Sequence, residues 1–588
     1  MNLQFEVKET RTEAMGSLSN EKVDMEETLS KLPEDPTVNG EKTWRTKSCI
    51  PSFGDYHKRP SLLMKGGGEL SESFHDRMHV SSRMNRKASV TTCAISKASS
   101  QRQRITSYLG LGLTGSDDHS FDSVDLFEVS TTRMQRLVME MEESLKLISC
   151  SASSRELEDW ACLIYESMSA PSRTFHSVQH IFDISVGADP ICKLAIFFHD
   201  IVYFSIDGGF NEKQELLIGD VVEVKNADGK QEIRISDKDF DVNTKMVIDI
   251  FGFKPGQLLD PFKGLNEFLS AAACVRCYQG NLQAAQLAQI AACIEATIPF
   301  RKFTDDGKSP CDILFESLVF VNVEYNLGLQ EADLVEAVQR AADLGNRDLE
   351  NFSTPEKAVF LSNTWNLLPE SNINLRNKSV FRISDYAFAL KKMTGFFEFL
   401  DPDTIYLSFR NSPRTLAVLE KKRNKAFENV KTALIYMYCK SVSIGVVSAI
   451  SALSGGDAPL ALFLGDLPEP HYVSTSIEDF IEAGDPAEGI IVDHCVFNLL
   501  KDGRESESNF DIKNSPLAAY LYSLVGDKGV EEMLVHAVYP MDKDNATKLL
   551  RLIPEFALAN IVAACAEIAI TRAERLDQLM VDLMGWKK

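Results

Sequence analysis

Apolar residues begin to recur at helical intervals near residue 121, in FDSVDLFEVSTTRMQRLVMEMEESLKLI, and the pattern repeats in RELEDWACLIYESMSA. It predicts further helices over 174–188, 190–204, 211–222, 263–278, 281–297, 309–326, 330–349 and 354–368. One segment breaks the rhythm. VVEVKNADGKQEIRISDKDF alternates apolar and charged residues on both sides of an Ala-Asp-Gly turn, which predicts a β-hairpin set into a helical domain. That domain is expected to end near residue 410. Residues 411–588 are again helical in pattern, with two helices broken near Pro554. The longest apolar stretch, SVSIGVVSAISALSGG from Ser441 to Gly456, is dotted with serines. It falls short of the ~20 residues that cross a bilayer, so it reads as a buried helix. The first 120 or so residues show no persistent apolar face and are expected to be disordered. The expected organisation is therefore all-α: 1–120 disordered, 121–410 a first helical domain, and 411–588 a second.

Composition narrows the function classes. The chain has 588 residues, 44% hydrophobic and 25% charged, as in globular proteins. Its net charge of −23 gives no overall steering toward nucleic acid or anionic membranes, and neither is expected as a partner. Twelve cysteines are scattered without a regular framework, and the N-terminus lacks an apolar signal core. A cytoplasmic location is expected. Within the N-terminal region, residues 81–110 carry six basic side chains and no acid. There Arg86-Lys87-Ala88-Ser89-Val90 resembles the substrate pattern of basophilic kinases, which makes Ser89 a candidate modification site and such a kinase a candidate partner.

The chemistry gathers around histidine. Between residues 120 and 470 there are three, His176, His180 and His199, all within 24 residues. His176 and His180 are four apart, so a helix would present both on one face, with Asp183 three residues further along it. His199-Asp200 interrupts the otherwise apolar LAIFFHDIVYF. An aspartate there is costly unless it is paired or bound to a cation. Imidazole and carboxylate together suit Mn, Fe, Zn or Ni, and the carboxylate also accepts Mg.

F-H-S-V-Q-H followed by A-I-F-F-H-D-I-V-Y resembles the HD-domain superfamily of metal-dependent phosphohydrolases. It is most similar to a bacterial-type group that reads Y-H-N-x-x-H, A-x-x-F-H-D-x-x-Y, N-E-x-x-S and I-x-A-T-x-x-H. The third element is matched to Asn211-Glu212-Lys213-Gln214-Glu215 and the fourth to IEATIPF at 294–300. Ala342-Asp343-Leu344-Gly345-Asn346 is similar to the A-D-L-x-N of cyclic-nucleotide phosphodiesterases. The resemblance covers roughly residues 155–370. It implies an HD-type helical domain and a phosphate ester as substrate, among them nucleotides and cyclic nucleotides. It also implies His180, His199, Asp200 and Asp343 as ligands of a divalent metal. His176 would protonate the leaving oxygen, as an imidazole with a pKa near 6.5 can. Glu212 and Glu215 would orient water or hold a second ion. Arg340, Arg347 and Arg301 are the cations nearest in sequence, and guanidinium suits phosphate.

Two departures from the pattern bear on metal count. Ile298-Pro299-Phe300 stands where the bacterial-type group ends its A-T helix in histidine, and H-D-I-V-Y lacks the second histidine of H-D-x-x-H. One firm ion is expected, with a second weak or absent. A non-catalytic regulatory or scaffold protein on a degenerate HD domain is the alternative. A dinuclear iron oxygenase is a third reading. Cys274-Val-Arg-Cys277 lies in a helical pattern with no second pair and reads as packing, as does the segment around Trp365.

Overall fold

The computed structural model describes residues 131–585, apart from 228–229, 378–379, 413, 468–470 and 472–473. The expectations for residues 1–120, Ser89 included, lie outside the described residues. The principal elements run in the order α1 (Arg133–Leu147), α2 (Ser154–Met168), α3 (Val178–Ser185), α4 (Pro190–Ile196), α5 (Glu212–Ile218), β1 (Val222–Ala227), β2 (Lys230–Ile235), α6 (Val242–Ile250), α7 (Leu265–Tyr278), α8 (Ala284–Glu295), α9 (Pro310–Glu324), α10 (Glu331–Asp348), α11 (Lys357–Ser371), α12 (Ile383–Phe399), α13 (Leu416–Ser454), α14 (His494–Lys501), α15 (Pro516–Leu534), α16 (Lys543–Arg551), α17 (Glu555–Ile568) and α18 (Ala573–Gly585). The fold class is all-α. Among the described residues the only sheet is the β1–β2 hairpin, antiparallel with Val222 opposite Ile235.

Local chemistry explains where helices start. Thr132 and Gln135 form a capping box before α1, as do Ser153 and Glu156 before α2 and Ser309 and Asp312 before α9. Asp189 caps α4, and Pro190 takes the first helical position, where its missing N–H costs nothing. The apolar run LAIFFHDIVYF does not continue as one helix to residue 204. α4 stops at Ile196, and Phe197–Ser205 pass through turns into a short helical segment beginning at Phe204.

The buried apolar residues form two clusters. The first runs from Leu137 to Leu344 and includes Phe409. The second runs from Phe360 to Leu583. Residues 360–406, grouped with the first domain on sequence, thus contribute their buried side chains to the second. The α13 helix, 39 residues long, is the axis of that second cluster and packs against α12, α15 and α16. It is long and apolar enough to span a membrane by length and composition, yet 72% of its most apolar window is buried inside the protein.

A charged group sits inside the second cluster. Asp511 is buried and accepts from Tyr386 Oη at 2.6 Å and Trp365 Nε1 at 2.9 Å, with Lys440 Nζ 3.0 Å away. Arg504, also buried, stacks on Trp365 at 4.5 Å and lies 3.6 Å from Asp511. One carboxylate therefore serves two cations and ties α11, α12 and α13 to the 504–511 loop. Burial pushes its pKa up, but Lys440 and then Arg504 outweigh this and hold it below the usual carboxylate range. Removing the carboxylate would leave two buried cations facing each other. Asp511→Ala is expected to cost about 3–5 kcal/mol in urea unfolding at pH 7. A depressed folded-state pKa contributes stability above the unfolded pKa of about 3.9 and loses it as pH falls further. The gap between wild type and variant should therefore narrow below about pH 4, and a gap independent of pH would contradict this account.

Candidate metal centre

Three chain segments deliver four donor groups to one place. His180 comes from α3, His199 and Asp200 from the turn after α4, and Asp348 from the last residue of α10. One ligand atom from each can be chosen so that all lie within 4.8 Å of one another. His180 Nε2 is 3.0 Å from Asp348 Oδ1 and 3.8 Å from Asp200 Oδ2. His199 Nε2 is 2.9 Å from Asp200 Oδ2 and 3.4 Å from Asp348 Oδ1. His199 Nδ1 donates to the Ile196 carbonyl at 2.8 Å, which leaves Nε2 as the ligating nitrogen of the neutral ring.

The electrostatics fit a cation. His199 Nε2 and Asp200 Oδ2 are close, yet both are buried and neither has an aligned hydrogen-bond partner. Burial pushes the Asp348 carboxyl up, but the hydrogen bond with His180 and the close approach of the His199 imidazole outweigh it and bring its pKa to about 2. Burial pushes His199 down, yet Asp200 drives it well above the usual imidazole value. Without a metal, a proton on His199 supplies the positive charge that the two carboxylates demand. Ligand bonds of about 2.0–2.2 Å put donor atoms up to roughly 4 Å apart, close to the spacing found. Two imidazoles and two carboxylates suit Zn, Fe or Mn.

A third carboxylate lies near enough to feel the charge of the first two. Glu267, in the first turn of α7, has Oε2 buried with no partner, and burial, aided by the charges of Asp200 and Asp348, raises it to about 7. Its neighbours hold the HD turn. Asn266 Oδ1 accepts from Phe204 N at 3.0 Å, and Ser270 Oγ accepts from Val202 N at 3.1 Å. His176 lies just before α3, its ring 5.8 Å from that of His180. Its Nδ1 is 2.6 Å from Glu370 Oε2 on α11, while Glu370 Oε1 accepts the backbone N–H groups of Thr174, Phe175 and His176. Burial alone would lower the pKa of His176; Glu370 and then Asp200 raise it instead.

Comparison with known proteins adds nothing to this geometry. No family model, no curated protein and no solved structure matches the chain.

The structure brings together three of the four expected ligands, and it corrects the fourth. Asp343 lies outside the cluster and accepts from Arg347 Nε at 2.6 Å. Asp348 takes the place assigned to it. Five residues along an α-helix turn the side chain by about 140°, so the two cannot share a target. The signal was present in the pattern: Leu334, Ala337, Val338, Ala341 and Gly345 form the buried stripe of α10, and Asp348 continues it. Gly345 also sets the depth of the helix, because a Cβ there would meet the Ala296 carbonyl at 2.6 Å.

Other assignments move as well. Glu212 and Glu215 are exposed in the first turn of α5, where Gln214 is the buried residue, bonded to the Ile201 carbonyl and Ser167. The N-E-x-x-S element reads without mismatch at Asn266-Glu267-Phe268-Leu269-Ser270, and these are the residues at the HD turn. Arg340 pairs with Asp189 and Glu336, and Arg301 with Glu295. Arg347 lines the adjoining pocket, but its donors go to Asp343 and to the carbonyls of Ile184, Val186 and Gly187. Neither Arg340 nor Arg347 is thus left free for phosphate. Asp183 accepts from Gln179 and orients no imidazole. Phe300, at the position where histidine is missing, packs on Phe352 and Phe396. Cys274 and Cys277 are free thiols in α7, one buried and one half-buried.

Two outcomes follow for the metal. Asp348→Asn should abolish binding of Mn²⁺ or Zn²⁺ followed by calorimetry, and Asp343→Asn should leave it within a few-fold of wild type. Because a ligating imidazole must lose its proton, binding should release protons to buffer, and affinity should tighten as pH rises, by up to about tenfold per unit for each proton displaced. Metal affinity independent of pH between 6 and 8 would count against His199 as a ligand.

Proposed function

We propose that the chain is a metal-dependent phosphohydrolase with an HD-type helical domain, acting on a small phosphate ester such as a nucleotide or cyclic nucleotide. One observation carries the reading: His180, His199, Asp200 and Asp348 converge from three segments, with a third imidazole, that of His176 paired with Glu370, beside them. A pocket of about 560 Å³, lined in part by His180 and Asp348, adjoins the group and is large enough for such a substrate.

A divalent cation held by the four ligands supplies Lewis acidity toward a phosphoryl oxygen and makes water a better nucleophile near neutral pH. The remaining steps belong to the chain's own groups. Glu267, a carboxylate with its pKa raised, takes the proton from the attacking water. His176 delivers a proton to the leaving oxygen. Its Nδ1 is engaged by Glu370, so Nε2 is the nitrogen left for the substrate. Glu370 is a positioning residue. It fixes the ring through Nδ1 and the loop through three backbone N–H groups, and it keeps the imidazole protonated further into the alkaline range.

The test is release of inorganic phosphate, or opening of a cyclic nucleotide, from a substrate panel with Mn²⁺, Mg²⁺, Fe²⁺ and Zn²⁺. Activity is expected with at least one metal and should vanish in His199→Ala. His176→Ala should retain metal and lose about 10²–10⁴-fold in kcat, the usual worth of a general acid. A protein that binds metal tightly and releases no phosphate from any ester would instead be the non-hydrolytic regulatory or scaffold protein. In Glu370→Gln the alkaline limb of the pH–rate profile should move to lower pH, because the carboxylate that raises the His176 pKa is gone. An unmoved limb would remove His176 as the acid.

A further inference from the structure

The pocket beside the cluster holds a cation with no ion-pair partner among the described residues. Two arginines line it. The guanidinium of Arg347 is spent on Asp343 and three carbonyls. Arg414, in the segment leading into α13, is different. Its Nε is buried without a hydrogen-bond partner, and among the described residues no carboxylate or carbonyl pairs with its guanidinium. The nearby acid on the pocket wall, Glu350, is committed to Lys422. Orienting a guanidinium in a half-buried wall with unmatched donors is unfavourable unless something anionic completes it. The wall mixes apolar side chains, Phe175, Ile184 and Val359 among them, with amides. Asn363 donates to Asn351 at 2.6 Å, and both amides line the cavity.

From this geometry we propose that Arg414 binds a second anionic group of the substrate, remote from the phosphate at the metal cluster. The ligand class is a phosphate ester whose alcohol portion carries another phosphate or a carboxylate. Guanidinium presents parallel donors that match either oxyanion, and the Asn351 and Asn363 amides offer partners for hydroxyl groups on the body between the two anions. This inference rests on the reading that the cluster and pocket form one substrate site.

The experiment measures binding rather than turnover. Fructose 1,6-bisphosphate is compared with fructose 6-phosphate, and 3-phosphoglycerate with glycerol 3-phosphate, by calorimetry on the full chain at low temperature. Each is run with Mn²⁺ present and after chelation. The first pair reports a second phosphate and the second a carboxylate. Wild type should prefer the doubly anionic member of at least one pair by about 10–100-fold, the worth of a charge-assisted contact. Arg414→Gln should erase that preference without changing affinity for the singly anionic probe, and Arg414→Lys should restore part of it. Equal affinity of wild type and Arg414→Gln for the doubly anionic probes overturns the assignment, as does a wild type with no preference in either pair. The Mn²⁺ arm separates the two claims. An Arg414 effect without any Mn²⁺ dependence keeps the anion site and removes the metal-dependent reading; Mn²⁺ dependence without an Arg414 effect does the reverse.

Discussion

Asp200, buried, and Asp348, mostly buried, are set within a few ångströms of each other, and two carboxylates so placed cannot both stay ionised without positive charge between them. Much of the first helical cluster can be understood from that constraint. His180 and His199 enter from different segments because only side chains approaching from separate directions can surround a point between the acids. The loop between α4 and the following turn cannot remain a helix through residue 204, since the HD dipeptide must face inward while Phe197, Phe198 and Ile201 stay in the core. Asn266 and Ser270 then satisfy backbone N–H groups that the broken helix leaves without partners.

The second cluster enters the chemistry through α11. This helix carries Trp365 on its buried side, where the indole meets Asp511 and the Arg504 guanidinium. The same helix carries Glu370, which holds His176, and Asn363, which lines the pocket. A shift of α11 would therefore disturb His176 and the cavity wall together. The C-terminal half, in which no titratable pattern stood out on sequence, thus supports the candidate site mechanically and also supplies Arg414.

The buried network around Asp511 and the metal cluster resolve the same difficulty in two ways. In the second cluster, fixed cations from Lys440 and Arg504 neutralise the carboxylate, and the result is a rigid tie. At the HD turn no lysine or arginine forms an ion pair with Asp200 or Asp348 among the described residues; Arg173 reaches only the Asp200 carbonyl and pairs with Asp207. The charge there is left to imidazoles, which can surrender a proton to an incoming cation. Histidine leaves a cluster able to take up a cation; lysine and arginine make a structural tie.

Periodicity by itself determined the all-α class, the hairpin at 222–235, the break near Pro554 and the burial of the apolar stretch in α13, because each follows from neighbours a few residues apart. The spacing of His176, His180, His199 and Asp200 likewise singled out three of the four clustered groups, since an Asp in so apolar a run requires a partner. Tertiary structure alone decided what came from further away. The stripe of α10 carries Asp348 and not Asp343, but only the packing of α10 against α8 decides that this stripe leads to the cluster. Glu267 rather than Glu212 lies within reach of the charges of Asp200 and Asp348, because α7, and not α5, packs that side against the turn after α4. Glu370 and Arg414 lie 194 and 238 residues from His176, a separation over which no local pattern carries information. Helical phase is written locally, but which phase points at a shared ion is set by how the helices pack.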